Sequence, residues 1–122
     1  MNELIEKETT NIENMIYEIR GKQVMLDKDL ANIYKVPTGN LNRAKNRNIT
    51  RFPDDFCFQL TRKEYMDLKC QNGISNFDER TINRNLPYVY TEQGVAMLAS
   101  VLKTAEAAIL SVDIMRAFVA MR

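Results

Sequence analysis

Two short stretches rich in strand-forming residues lie near the start of the chain. Both fall within IYEIRGKQVML, residues 16–26, on either side of Gly21-Lys22. A glycine followed by one further residue is typical of the two-residue type II′ turn that joins antiparallel strands. The segment therefore predicts a β-hairpin that turns at Gly21-Lys22 and begins a small antiparallel sheet.

A helix is predicted directly after the hairpin. Asp27 can cap it, because an aspartate carboxylate accepts hydrogen bonds from the free N–H groups of a first helical turn. Leu30, Ile33 and Tyr34 then recur at helical spacing. Pro37 ends this helix, since a proline cannot continue the hydrogen-bond pattern of the residues before it.

A second, more polar helix is predicted over about residues 39–48, and Thr38 can cap it. At about 100° per residue, Leu41 and Ala44 share its inner side. Lys45 lies nearer the buried edge, so its stem must run along apolar surface to keep its charge in water. The outward side and its flank are formed by Gly39, Asn40, Asn42, Arg43, Asn46 and Arg47.

A corner and a further strand follow. Phe52-Pro53-Asp54-Asp55 breaks the helix and turns the chain. Beyond it Phe56, Phe58 and Leu60 recur at every second position, which predicts a half-buried strand. We expect the phenylalanines to fix the end of the preceding helix to the sheet.

The remaining pattern predicts a helix, a polar segment, a strand and two more helices. TRKE at 61–64 is a capping box for a helix that reaches about Gln71. Residues 73–85 are polar and expected to be irregular and mobile, whereas PYVY at 87–90 predicts a strand. Thr91 can cap the next helix.

The last helix, over about residues 105–122, is apolar on two sides. One stripe consists of Ala108, Val112, Met115 and Val119, and the other of Leu110, Ile114, Phe118 and Met121. A helix that is apolar on both sides is buried on both sides. We expect one side to pack on this domain and the stripe of Leu110, Ile114, Phe118 and Met121 to form a homodimer interface.

Length and composition indicate one globular domain, and the predicted elements place it in the α+β class, with a small antiparallel sheet, a helix-turn-helix and two C-terminal helices. The chain has 122 residues, of which 45% are hydrophobic and 8% aromatic. We divide it into an acidic N-terminal segment, residues 1–15, and a domain over residues 16–122. No apolar run is long enough to span a bilayer, and MNELIEKETT does not resemble a signal peptide, so we expect a cytoplasmic protein without membrane contact.

Enzymatic chemistry has little support in the sequence. The chain has no histidine, which excludes a histidine-based triad or general base. Its paired aspartates fall at a helix cap and a corner, where aspartate is expected. Cys57 and Cys70 lack the spacing of a metal site and are expected to be small buried hydrophobes. We therefore expect no catalysis, cofactor, metal or small-molecule substrate.

The charge is unevenly distributed along the chain. The net charge is +1, yet residues 19–53 carry eight basic and two acidic side chains, and no acid lies between Leu30 and Pro53. A basic stretch of this kind suits a nucleic-acid partner, although a solvated helix face would explain the charge alone equally well. Asparagines also occur as ordinary caps and surface residues. Their combination with the acid-free basic stretch favours DNA.

Two short helices joined by a tight turn are the layout of a helix-turn-helix, whose second helix enters the major groove of double-stranded DNA. Asparagine can hydrogen-bond adenine and arginine can hydrogen-bond guanine there, while flanking basic side chains hold phosphates. The predicted DNA-binding residues are Gly39, Asn40, Asn42, Arg43, Lys45, Asn46, Arg47 and Arg51.

Several ordered segments resemble one family. They are DLANIYKV at 29–36, LN at 41–42, RN at 47–48, RFPDDFCFQLT at 51–61, PYVYTEQGVAMLASVL at 87–102 and IMRAFVAMR at 114–122. Together they resemble the phage "ORF six N-terminal" domain, a relative of the KilA-N and Bro-N domains of phages and large DNA viruses. The chain departs from that pattern at Lys35, where glycine is common, at Lys45, where an apolar residue is common, and at Asn46, where a base is common.

The resemblance implies a DNA-binding domain of a phage or prophage transcriptional regulator, often linked to antirepressors. We therefore expect sequence-specific or structure-guided DNA binding. The alternative is a protein-interaction antirepressor module that sequesters a phage repressor and has little direct contact with DNA.

Overall fold

The computed structural model describes residues 11–71 and 85–122. It is an α+β domain, as predicted, with a four-stranded antiparallel sheet. The strands are β1 (Ile16–Ile19), β2 (Lys22–Leu26), β3 (Cys57–Gln59) and β4 (Tyr88–Thr91). The helices are α1 (Asp27–Tyr34), α2 (Thr38–Arg47), α3 (Arg62–Gln71), α4 (Glu92–Leu102) and α5 (Ala105–Ala120), with a 3₁₀ turn at Ile49–Arg51 after α2. The polar segment predicted at 73–85 lies, except for Asn85, outside the described residues.

The sheet has the strand order β1-β2-β4-β3, so β4, the last strand in sequence, lies between β2 and β3. Tyr90 of β4 pairs with Met25 on one side and with Cys57 on the other. The hairpin β1–β2 was predicted, but its turn was not. Arg20 and Gly21 are the two turn residues, with φ of 56° and 72°, so the turn is of type I′ and not a type II′ turn at Gly21-Lys22.

Both faces of the sheet are covered. The larger hydrophobic cluster packs against α1, α2, α4 and α5, and it includes Met25, Tyr90 and Cys57. The smaller cluster includes Phe58, Val89 and Leu68 of α3. The predicted alternation is confirmed for Phe58 and Leu60, which are buried on either side of the exposed Gln59. It fails at Cys57, which is buried in the larger cluster on the opposite face of the sheet.

Two further expectations about burial are wrong. Phe56 is only half-buried, since its position is the corner residue before β3 rather than a place within the strand. Cys70 is exposed near the end of α3, whereas Cys57 is buried as expected.

The helix starts test the predicted caps. Thr61 and Glu64 form the predicted reciprocal capping box, with N···O distances of 2.8 and 3.1 Å. Thr91 caps α4 by accepting from the N–H of Gly94. The predicted N-cap positions of the first two helices are wrong, because Asp27 and Thr38 are already helical residues and the N-cap residues Leu26 and Pro37 make no side-chain cap. The Asp27 carboxylate nevertheless accepts from a first-turn N–H, that of Lys28, at 2.7 Å.

Helix α5 turns one stripe towards the core, but not the stripe expected to do so. Ile114 and Phe118 are 0% and 1% exposed and lie in this domain's own core. Leu110 packs against that core, and Met121 is exposed. The interface predicted for these four residues is therefore on the wrong side of the helix, because two apolar stripes do not reveal which of them faces inwards. The outer stripe carries Val112 and Val119, which are both exposed.

The described part of the chain contains neither a membrane-spanning helix nor a cluster of metal-ligating side chains. Within residues 11–71 and 85–122, no helix is both long and apolar enough to cross a membrane. No three histidine, cysteine, aspartate or glutamate side chains of these ranges are grouped as metal ligands would be.

Candidate nucleic-acid interface

Helices α1 and α2 are joined by the three residues Lys35, Val36 and Pro37. Lys35 adopts the left-handed conformation, with φ 59° and ψ 43°, and the N–H of Val36 donates to the carbonyl of Ala31. This conformation is the usual place for glycine at the end of a helix. It therefore gives a physical reason for the glycine that is common at this position in the resembling family.

The outward side of α2 is polar and basic. Gly39, Asn40, Arg43, Asn46 and Arg47 are exposed, and so is Arg51 on the 3₁₀ turn that follows. We call these six residues the α2 outer surface. The guanidinium of Arg43 donates to the amide oxygen of Asn40 one turn earlier. Because there is no acid between Leu30 and Pro53, the surface has no carboxylate of its own segment to neutralise it.

Asn42 belongs to the inner side of α2, so its predicted outward direction is wrong. Its amide nitrogen donates to Asp27 at 2.8 Å, and its amide oxygen accepts from the hydroxyl of Tyr90 at 3.0 Å. The same oxygen of Asp27 accepts from the backbone N–H of Tyr88 at 3.2 Å, while its other oxygen accepts from the N–H of Lys28 at 2.7 Å. We call Asp27, Asn42 and Tyr90 the anchor network.

The anchor network explains why the Asp27 carboxylate can be buried. The side chain is 5% exposed, and a buried carboxylate is stable only when its oxygens are hydrogen-bonded. The three donors come from the start of α1, from α2 and from β4. The hydroxyl of Tyr90 is protonated at neutral pH, as in any tyrosine, and burial raises its pKa further. The network therefore fixes α2 against the central strand.

Lys45, by contrast, does not lie on the α2 outer surface. It is 2% exposed, and its ammonium lies 3.5 Å from the centre of the Tyr88 ring. The expectation that it sits near the buried edge is confirmed, and almost none of the residue is accessible to solvent. Burial lowers the pKa of the Lys45 ammonium and raises that of the neighbouring Cys57 thiol to about 11.

An aromatic contact secures the end of the basic segment. Phe52 is 5% exposed, and its ring meets that of Tyr90 edge-on, with centroids 6.1 Å apart and planes at 88°. Leu41 is fully buried in the same cluster. The α2 outer surface is thus held from behind by Leu41 and the anchor network in the helix itself, and by Phe52 just beyond its end.

The comparison with family profiles agrees with the sequence resemblance. The ORF6N domain matches residues 14–101, which is well over half of the chain. The chain belongs to the ORF6N family. Neither the search of curated proteins nor the search of solved structures gave a match. Membership makes this a phage-type regulatory domain. The matched span contains the sheet, α1, α2, α3 and all but the last residue of α4, and it ends before α5.

Sequence reasoning missed three residues of this ORF6N site. Asp27 was assigned a cap, and Tyr88 and Tyr90 were assigned only to a strand. A signal for the tyrosines exists in PYVY, because residues two apart in a strand point to the same face. Nothing in the sequence pairs that face with Lys45 and Asn42, since the contact joins segments more than 40 residues apart.

Proposed function

We propose that the domain binds double-stranded DNA as part of a phage or prophage transcriptional regulator, with α1 and α2 acting as a helix-turn-helix. The observation that carries the proposal is the α2 outer surface, which is basic, rich in amides and exposed on a helix whose other side is fixed. A protein can discriminate bases only if the reading side chains are held in register. The anchor network and the Phe52 contact supply that rigidity.

The exposed side chains divide by chemistry. Arg43, Asn40 and Asn46 have the donors and acceptors that read guanine and adenine edges in the major groove. Arg47 and Arg51, at the end of α2 and on the turn behind it, are suited to phosphates, which orient a protein on the duplex without specifying sequence. The Arg43–Asn40 hydrogen bond of the free protein would be exchanged for base contacts on binding.

The proposal is tested by replacing the two central arginines singly. Arg47→Ala should weaken binding to all sequences about equally and lower the salt slope by about one. Arg43→Ala should relax the preference at one base position, by roughly 1–3 kcal/mol. Both changes are to exposed residues, so the thermal melts should remain close to that of the wild type.

The measurement is duplex binding over a range of salt, with targets first enriched from random-sequence DNA. Lys63→Ala is the control, because Lys63 is exposed on α3, away from α2. An enriched motif whose recognition depends on Arg43 supports the proposal. Wild-type binding by the variant with both changes, Arg43→Ala and Arg47→Ala, would rule out α2 as the reader.

A second candidate function is protein contact, either in a homodimer or with a phage repressor. It is favoured by one observation, the apolar outer face of α5, where Ile109, Val112 and Val119 are 68%, 48% and 55% exposed. An apolar groove of about 500 Å³ runs beside it, floored by Ala96 and Ala99 of α4. Exposed apolar surface of this kind is typical of an interaction site. Loss of partner binding without loss of DNA binding, after changes on α5, would separate the two functions.

A further inference from the structure

A cleft of about 370 Å³ lies between the C-terminal half of α2 and the strands β3 and β4. Lys45 and Asn46 of α2, Cys57 and Gln59 of β3, and Tyr88 of β4 contribute to its walls. Ile49, which is exposed on the 3₁₀ turn, stands at its edge. The cleft therefore opens beside the α2 outer surface, to which Asn46 also belongs.

Lys45 is the unusual group in this cleft, because its charge is buried without an anion. No described carboxylate lies within 4.0 Å of its ammonium, whose observed contact is the face of the Tyr88 ring. A ring attracts a cation but does not accept three N–H hydrogen bonds as oxygens do. Burial of an ammonium without an anionic partner is costly, and the residues that the structure describes place no anion against this one.

The neighbouring charges leave Lys45 uncompensated. Arg20, on the far wall, is held by both oxygens of Glu64 at 2.8 and 2.9 Å. Asp54 is a carboxylate at the cleft but is exposed to solvent and beyond ion-pair distance of Lys45. Asp27, which attracts Lys45 at longer range, already accepts from three N–H donors.

We propose that this cleft binds a phosphate group, with its oxygens on the Lys45 ammonium and the Asn46 amide. The proposal rests on the proposed function for one of its two sources, a phosphate of the DNA backbone, because the cleft opens beside the proposed reading surface. The other source is free phosphate or a small phosphate ester. Lys45 would in either case exchange burial over an aromatic ring for a charge-assisted hydrogen bond.

Inorganic phosphate is the first probe, titrated against chloride at matched ionic strength and followed by the backbone amide resonances of Asn46 and Gln59. The wild-type protein should show saturable shifts. Lys45→Met should abolish them, and Asn46→Ala, a change to an exposed residue, should weaken them. Lys63→Met is the matched control and should bind phosphate as the wild type does. Lys45→Met should also melt no lower than the wild type, because it removes a buried uncompensated charge.

Duplex DNA is the second probe. If the phosphate comes from DNA, Lys45→Met should lower the salt slope of binding by about one, while Lys63→Met leaves it unchanged. Phosphate binding lost in Lys45→Met, with an unchanged DNA salt slope, would assign the cleft to free phosphate.

The two proposals fail separately. Absence of saturable shifts in the wild type, or equal shifts in Lys45→Met, would overturn the cleft whatever the protein does with DNA. If phosphate binding depends on Lys45 but the protein binds no DNA, the phosphate site is supported and the proposed DNA-binding function is contradicted.

Discussion

Gly94 lies in the first turn of α4, where the helix passes closest to the corner before β3. A Cβ atom placed on it would lie 1.9 Å from the carbonyl oxygen of Phe56 and 2.9 Å from its carbonyl carbon. That oxygen accepts from the N–H of Thr91, so it cannot turn away without losing a hydrogen bond. The position therefore needs glycine because the two backbones nearly touch.

Gly94→Ala should destabilise the domain by more than about 3 kcal/mol, since the added methyl group meets backbone atoms rather than a flexible side chain. Gly39→Ala is the matched control. Its Cβ would meet only the end of the Arg43 side chain, at 3.4 Å, and alanine in a helix is favoured over glycine by about 1 kcal/mol. Urea unfolding of the three proteins measures both effects. Equal stability of Gly94→Ala and the wild type would contradict the close approach.

Single residues also mark the limit of sequence reasoning in the site. The exposure of Arg43 and Arg47 followed from helical spacing with Leu41 inside. The inward direction of Asn42 did not follow, because a polar side chain is expected to face solvent unless a buried hydrogen-bond partner is known. Asp27 is that partner, and its burial depends on β4, which is distant in sequence.

At the scale of elements, a side-chain ion pair links helix α3 to the first hairpin, in addition to the packing of Leu68 in the smaller cluster. Glu64, which also completes the capping box of α3, holds the guanidinium of Arg20 with both oxygens. Arg20 in turn covers the ring of Phe58, with its guanidinium carbon 4.3 Å from the centroid. The hydrogen bond from Arg20 holds the pKa of Glu64 down to about 2.

A lowered carboxyl pKa stabilises the fold at neutral pH, and this contribution is lost as the pH falls from the ordinary value of about 4.5 towards 2. Because Arg20 and Glu64 are partly exposed, solvent screening limits it to about 1 kcal/mol or less. Glu64→Gln should therefore be less stable than the wild type at about pH 7 and nearly equal to it at about pH 2. Urea unfolding at the two pH values checks this.

Asp67→Asn is the matched control on the same helix, since Asp67 reaches Lys63 only at 3.9 Å with both side chains well exposed. It should change stability little at either pH. A stability gap between Glu64→Gln and the wild type that is as large in acid as at neutral pH would mean that the charge of Glu64 is not the cause.

The elements themselves followed well from local pattern. The capping box of α3 and the cap of α4 were predictable because they depend on residues three apart, all within one turn. The hairpin turn was not predictable, because arginine rarely adopts a positive φ and its identity therefore gives no sign that Arg20 does so. The N-cap positions of α1 and α2 were also not predictable, because Asp27 and Thr38 lie inside their helices. The Asp27 carboxylate bonds Asn42 and Tyr88, which are distant in sequence.

At the scale of the whole molecule, the α+β class was predictable but the strand order was not. Pairing of β4 with both β2 and β3 joins segments across the full domain, and no local pattern encodes it. The side of α5 that faces the core was likewise ambiguous, because the helix has two apolar stripes and the choice is made by packing. Whether the outer face of α5 meets a second copy remains a prediction.

That prediction concerns assembly. If the outer face of α5 packs against its copy, Val112→Asp should convert a dimer to a monomer, because a carboxylate would be buried in an apolar contact. Sedimentation at micromolar concentration is the measurement. Ile49→Asp is the control, since Ile49 is 55% exposed but lies on the 3₁₀ turn, away from α5. A wild-type protein that sediments as a monomer would contradict the homodimer.

The central place of β4 also governs when the domain can form during synthesis. While the ribosome has released only the first 87 residues, β2 and β3 have no strand between them, and Asp27 and Asn42 lack their partners on Tyr88 and Tyr90. Helix α2 can then contact α1 through the Asn42–Asp27 hydrogen bond, but it lacks its hydrogen bond to Tyr90 of β4. The basic residues of α2 are therefore synthesised early. The strand that fixes their orientation, β4, is synthesised late, because it follows them by about 40 residues.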